Sequence, residues 1–147
     1  MLAATLVIIV MIQFVRPTQN KDKRISDADI TRLYAVPDEL GAILRNSCFD
    51  CHSSNTNYPW YANIQPMGWW LASHIREGKN ELNFSDFGSY SQRKQSSKLE
   101  AIKNSITDET MPLPSYVFIH RKTKLSAEEK EKIKIWINDI QDSLSRR

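Results

Sequence analysis

Glycine is scarce in this chain, with four residues in 147. None falls in a G-x-G-x-x-G, Walker or G-x-S-x-G pattern, so nucleotide-binding and α/β-hydrolase readings have no support. Charge of one sign is lacking too: 20 Lys and Arg stand against 17 Asp and Glu, a net +3. No basic stripe interleaved with aromatics occurs, which removes the sequence basis for nucleic-acid binding. The chain has no apolar run of the roughly 20 residues that a membrane span needs. It has no internal repeat and no low-complexity tract. Cysteine is limited to two residues, and their placement is the strongest signal present.

Cys48-Phe49-Asp50-Cys51-His52 is a C-x-x-C-H motif, the attachment pattern of a c-type haem. The spacing has a chemical reason. Two thioethers must reach two vinyl groups on one edge of a planar macrocycle, and the next imidazole must turn onto the iron. On a helical turn, residues i and i+3 share a face and i+4 lies beside them. Cys48, Cys51 and His52 stand in that relation, which makes His52 the candidate proximal ligand of a single covalent haem c. A C-x-x-C pair can also serve as a dithiol redox centre, a zinc site or a structural disulfide. The dithiol reading expects a βαβ context, and no strand is predicted before Cys48. Zinc would need two of His52, His74 and His120 beside the cysteines, at spacings that fit no finger or ribbon.

Leu2 to Val15 is apolar except for Thr5 and Gln13, about 14 residues and short of a full span. It lacks a basic leader and a small-residue cleavage site, and no nearby cysteine offers a lipid anchor. Arg16, Lys21, Lys23 and Arg24 follow. That bias holds their side in the cytoplasm, whereas haem attachment of this kind needs the opposite side. The expectation that reconciles the two is a truncated or misassigned start, with a few upstream residues completing a signal anchor. The alternative is a buried core helix. Residues 1–16 are therefore read as a hydrophobic signal or anchor segment, 17–35 as a linker, and 36–147 as the folded domain.

Within the domain, Pro37 with Asp38 and Glu39 suits a helix start, and Leu40, Ile43 and Leu44 give that helix an apolar face running into Cys48. Residues 53–64 lack helical periodicity and read as a loop. Pro66 opens a second helix over Met67–Glu77, with Gly78 expected to close it. Asn83 to Phe87 reads as another loop. A third helix is predicted from about Tyr90 to Ile106. Met111-Pro112-Leu113-Pro114 cannot be helical throughout, and Tyr116–Ile119 reads as a short extended run. Ser126 with Glu129 is a capping box, and Ile133, Trp136, Ile137 and Ile140 follow the helical period.

A six-coordinate iron needs a second ligand. Met67, Met111, His74 and His120 are the side chains able to serve, with lysine a less common alternative. Met111 is the choice, because a loop stiffened by Pro112 and Pro114 can cross the face opposite His52. A soft thioether there favours ferrous iron. His74, one turn after Trp70, is the runner-up, and His120 the third. Tyr58, Trp60, Tyr61, Trp69 and Trp70 either fill the core or reach haem propionates. A carbonyl near Pro59 or Pro66 is a candidate to orient the His52 Nδ1–H.

With these residues in place, the chain resembles the bacterial haem-binding domain family of small monohaem cytochromes c. The matching pieces are Cys48 to Ser53, Tyr58-Pro59-Trp60-Tyr61, Ile64-Gln65-Pro66 with Trp70, His74 to Gly78, and Leu82 to Ser85. Met111-Pro112, Tyr116, His120 and Leu125-Ser126 complete the set. Met-Pro followed by a Leu-Ser-x-x-Glu helix is also similar to class I cytochromes c. The resemblance implies an all-α, cytochrome c-like helical fold around one covalent haem, with its first and last helices packed together. The resemblance names the cofactor rather than the pathway; the function expected of such a haem is single-electron transfer, with no enzymatic activity. The expected setting is periplasmic, tethered to the cytoplasmic membrane through the N-terminal segment, with redox proteins as partners. The rival readings are an open-site haem protein, acting as peroxidase or gas sensor, and a zinc or dithiol module without haem.

Overall fold

Asp29, Ser91 and Ser126 cap the starts of three helices through their side chains, and Pro37, Pro66 and Pro114 stand at the starts of three others. The computed structural model describes residues 1–22 and 24–146; Lys23, named above in the linker and the basic flank, lies outside them. Among the described residues there is no strand. Eight α-helices are joined by loops and short 3-10 turns, and one antiparallel bridge pairs Lys21 with Asn55. The architecture is all-α, as expected.

The last helix, α8 (Ala127–Ser145), opens on the predicted capping box. The Glu129 N–H donates to Ser126 Oγ, and the Ser126 N–H donates to the Glu129 carboxylate, which satisfies two orphan donors reciprocally. Its buried stripe is Ile133, Trp136, Ile137, Ile140 and Leu144. Helix α6 (Gln92–Thr107) is capped by Ser91 and buries Leu99 and Ile106. Helix α3 (Asp38–Ser47) follows Pro37 and buries Leu40, Ile43 and Leu44. Helix α8 packs chiefly on α6 and also on α3, so the first long helix of the domain and the last do meet.

These faces close around Ile30, Leu44, Phe84, Phe87, Leu99, Ile133 and Ile137, the most deeply buried large side chains. A second, smaller cluster gathers Tyr61, Ala62, Leu71 and Ile75. It belongs to a 3-10 turn at Trp60–Asn63 and to α5 (Met67–Glu81). The cysteine motif lies at the junction of the two. Cys48 packs on the larger cluster and Cys51 on the smaller.

Several expectations are corrected. Helix α5 does not stop at Gly78 but runs on to Glu81. A Cβ at Gly78 would stand 2.9 Å from the Cys51 carbonyl oxygen, so this glycine serves a close approach rather than a helix end. Tyr116–Ile119 is not extended: Pro114 starts a helix, α7 (Pro114–Ile119). A lone apolar run finds no sheet partner, whereas proline at the first helical position costs no hydrogen bond. The loop after Asn83 winds into 3-10 turns over Phe84–Ser89.

Packing also begins before residue 36. Asp29 caps α2 (Ile30–Leu33), and Ile30 is fully buried. Residues 17–22 are not a free tether either. Asn20 binds the Tyr58 hydroxyl, the Ser53 carbonyl and Thr56 Oγ1, and it accepts from Lys79 Nζ. Helix α1 (Leu2–Ile12) buries none of its residues, so the core-helix alternative fails. No described helix is long and apolar enough to cross a membrane.

Candidate functional site

The cysteine motif forms a turn of its own. Helix α3 ends at Cys48, whose backbone leaves the helical region, and α4 (Phe49–His52) follows as a single turn. The His52 N–H donates to the Cys48 carbonyl at 3.0 Å and the Ser53 N–H to Phe49 at 3.0 Å. Asp50, inside the motif, fastens this turn to its surroundings. Its carboxylate accepts from the Asn57 N–H at 2.8 Å and from the Tyr116 hydroxyl at 2.9 Å. Its carbonyl accepts from Thr56 Oγ1 at 2.6 Å. Helix α5 lies against α4, at the spacing that Gly78 permits.

Both cysteines are free. Burial, and then the neighbouring Cys51, pushes the Cys48 thiol up to about 12. Burial, and then Asp50, pushes Cys51 up to about 11. A reactive dithiol centre needs the opposite shift, because the thiolate is the nucleophile. The zinc reading fares no better. Among the described residues no group of three or more His, Cys, Asp or Glu side chains could hold a metal ion.

His52 Nδ1 lies 3.1 Å from the Leu82 carbonyl oxygen. The orienting carbonyl therefore comes from the end of α5, not from the Pro59 or Pro66 region. With Nδ1–H donating there, Nε2 keeps its lone pair for a metal. Burial holds the imidazole below its ordinary range, against the opposing pull of the Leu82 and Gly78 carbonyls. The neutral form is the one that ligates. Phe84 meets the ring edge-on at 6.3 Å and also packs on Phe49.

A cavity opens beside this turn in two lobes of about 270 Å³ each. Ser47, Cys48, His52, Glu81, Met111 and Pro112 line both. The first lobe adds Asp50, Cys51, His74, Glu77, Gly78, Leu113 and Tyr116. The second is more apolar, with Leu82, Phe84, Ala101, Ile102, Ile106 and Leu125, and with Lys98 as its cation. Lys98 stands 3.5 Å from Glu81.

The structure thus brings Cys48, Cys51, His52, His74 and Met111 to one cavity. Met111 sits between α6 and α7, where its N–H donates to the Ser105 carbonyl, and a cis bond joins it to Pro112. His74 Nδ1 lies 2.9 Å from the Trp70 carbonyl oxygen, and its ring is tilted against the Trp70 ring at 4.3 Å. His120 lines neither lobe. Its Nε2 is 2.7 Å from the Tyr61 hydroxyl, and its ring stacks on Tyr116.

Sequence reasoning met Gly78, Leu82, Phe84 and Tyr116 only as parts of predicted elements or of the resemblance, without their roles here, and passed over the Glu81–Lys98 pair. A backbone carbonyl has no sequence signature. Asp50 was the one readable clue, since a carboxylate within the motif must find donors when the motif is buried. Trp69 Nε1 donates to the Val15 carbonyl, the Tyr61 hydroxyl pairs with His120 Nε2, and the Tyr58 hydroxyl accepts from the Asn20 N–H.

The donor set fits a haem: two free thiols one helical turn apart, a neutral imidazole already oriented through Nδ1, and a thioether on the same largely apolar cavity. A model of the haem-binding domain matches residues 7–139. No curated protein and no solved structure matches the chain.

Proposed function

The chain belongs to the haem-binding domain family, and from that premise we propose that it holds one haem c covalently and works as a single-electron carrier. Cys48 and Cys51 are the thioether donors, His52 is the proximal ligand, and Met111 completes the iron. The observation that carries this reading is that all four side chains line one cavity, with His52 held in ligating form by Leu82.

Bound haem would supply the one-electron redox chemistry. The chain supplies ligation, orientation and exclusion of water. The α4 turn presents the thiols and the imidazole together. Phe84 limits rotation of His52. The apolar second lobe keeps the site dry, which disfavours added charge on the iron, and a Met111 thioether favours the ferrous state. This reading assigns no catalytic turnover. Redox proteins would dock over the open edge of the cavity. The apolar α1, without a charged residue, supports tethering to a membrane, and covalent haem attachment at Cys48 and Cys51 would put the domain on the outer, periplasmic face of the cytoplasmic membrane.

One observation favours a second reading. His74 lines the first lobe with Met111. If Met111 left the iron open, His74 would be the histidine available in that lobe, besides His52, to assist peroxide or gas chemistry. Absorption spectra of protein expressed with the c-type maturation machinery test both. Sharp reduced α and β bands that survive acid–acetone extraction are expected. A weak far-red charge-transfer band in the oxidised form marks Met111 ligation. Rapid carbon monoxide binding by the reduced protein would favour the open site. Absence of any haem band would overturn the proposal.

A further inference from the structure

Two stretches that are distant in sequence are sewn together on the side of the domain where α1 leaves it. Gln13 and Gln65 exchange a reciprocal pair: the Gln65 N–H donates to Gln13 Oε1 at 2.9 Å, and Gln13 Nε2 donates to the Gln65 carbonyl at 3.2 Å. Trp69 Nε1 donates to the Val15 carbonyl at 2.7 Å. Asn20 adds its bonds to Tyr58, Ser53, Thr56 and Lys79. A flexible tether needs none of these. Together they fix the direction in which α1 departs.

The surface so formed has two further properties. It is apolar and aromatic at the exit: Phe14 is 78% and Trp60 77% exposed, and Val15, Ile64, Met67 and Trp69 are exposed as well. The stretches that build it are also free of carboxylates of their own, although Asp50 and Glu77 bond Asn57 and Ser73 at their edges. No Asp or Glu occurs in residues 1–21 or 51–76, although at the chain's average density about five would fall there. Arg16, Lys21 and Arg76 are the charges of those stretches. Helix α1 buries none of its residues and carries no charge. At roughly 1.5 Å per residue it reaches about 16 Å, half of a hydrocarbon core of about 30 Å.

We propose that this face is a collar that seats the domain on an anionic lipid bilayer, with α1 inserted and the haem cavity held at a fixed orientation to the membrane. The proposal builds on the tethering reading above. Exposed Trp and Phe beside a charge-free helix suit the headgroup level. Nearby Arg and Lys, on stretches free of carboxylates of their own, suit anionic lipids. The Gln13–Gln65 pair and the Trp69–Val15 bond make helix and domain one body, so inserting α1 brings Trp60, Ile64 and Met67 to the interface.

The test is hydroxyl-radical footprinting of the full haem-loaded chain in nanodiscs of phosphatidylcholine and phosphatidylglycerol, read by mass spectrometry against the unfolded chain. Labelling of Trp60, Met67 and Trp69 should fall at least fivefold below the level that their exposure in the protein sets. Ile135, exposed on α8, should keep its level. Chain that co-purifies with the discs while Trp60 and Trp69 label at their full exposure would overturn the collar and leave the tether standing. Chain that does not stay with the discs would overturn both.

Discussion

Alanine at two helical glycines should move stability in opposite directions. Gly41 lies in α3 and Gly78 in α5. In a helix interior, replacing Gly by Ala gains about 1 kcal/mol from backbone entropy alone. At Gly41 the new Cβ would meet the Arg45 guanidinium at 3.1 Å, the far end of a long side chain that can swing away. That gain should survive nearly whole. At Gly78 the Cβ would meet the Cys51 carbonyl oxygen at 2.9 Å, its Cβ at 3.3 Å and its carbonyl carbon at 3.4 Å. These are parts of the α4 turn, which Asp50 and Tyr116 hold in place, so α5 and α4 must separate. Overpacking of this kind costs about 1–3 kcal/mol. Gly78→Ala should therefore end about 1 kcal/mol less stable than the parent, and Gly41→Ala about 1 kcal/mol more stable. At about 4 °C per kcal/mol for a chain of this size, the two melting temperatures should differ by about 8 °C. Thermal melts of the haem-loaded proteins, followed by circular dichroism, provide the measurement. A Gly78→Ala protein that melts at or above the parent temperature would refute the reasoning, because the close contact would then exert no strain.

Met111→Ala should keep covalent haem, lose the far-red band and bind carbon monoxide readily when reduced; unchanged carbon monoxide binding would move the ligand assignment to another side chain. Phe84→Ala removes a fully buried ring from between Phe49 and His52 and should cost about 3–5 kcal/mol, measured by denaturant titration. Ser126→Ala breaks the capping box of α8 and should cost about 1 kcal/mol, a fall of about 4 °C, with the absorption spectrum unaltered.

The residues that carry chemistry were legible because chemistry constrains them locally. In the proposed site the thiols and imidazole of Cys48, Cys51 and His52 would fit one edge and one face of a rigid ring, so their spacing is itself the signal. The capping box at Ser126 and the stripe of Ile133, Trp136, Ile137 and Ile140 were legible for the same reason, since both are relations within a single turn or two. The misreadings share the opposite cause. Gly78 resembled a helix end because closeness to Cys51 is invisible along the chain. Tyr116–Ile119 had strand composition, but a strand needs a partner and the fold offers none. Residues 17–22 read as a linker because their polar side chains find partners only across 30 to 60 residues of chain.

The amino-acid order alone determined the haem-binding class and the helical class and put His52 forward as the proximal ligand, since each rests on periodicity and side-chain chemistry over short distances. The tertiary structure alone decided that Met111 and His74 share the cavity with His52 while His120 is spent on Tyr61 and Tyr116. It also decided that Leu82 orients His52 and that Gln13 and Trp69 clasp the N-terminal helix to the domain. These are contacts between groups remote in the chain. They exist only because two apolar clusters must close on each other, and the cysteine motif is what lies between them.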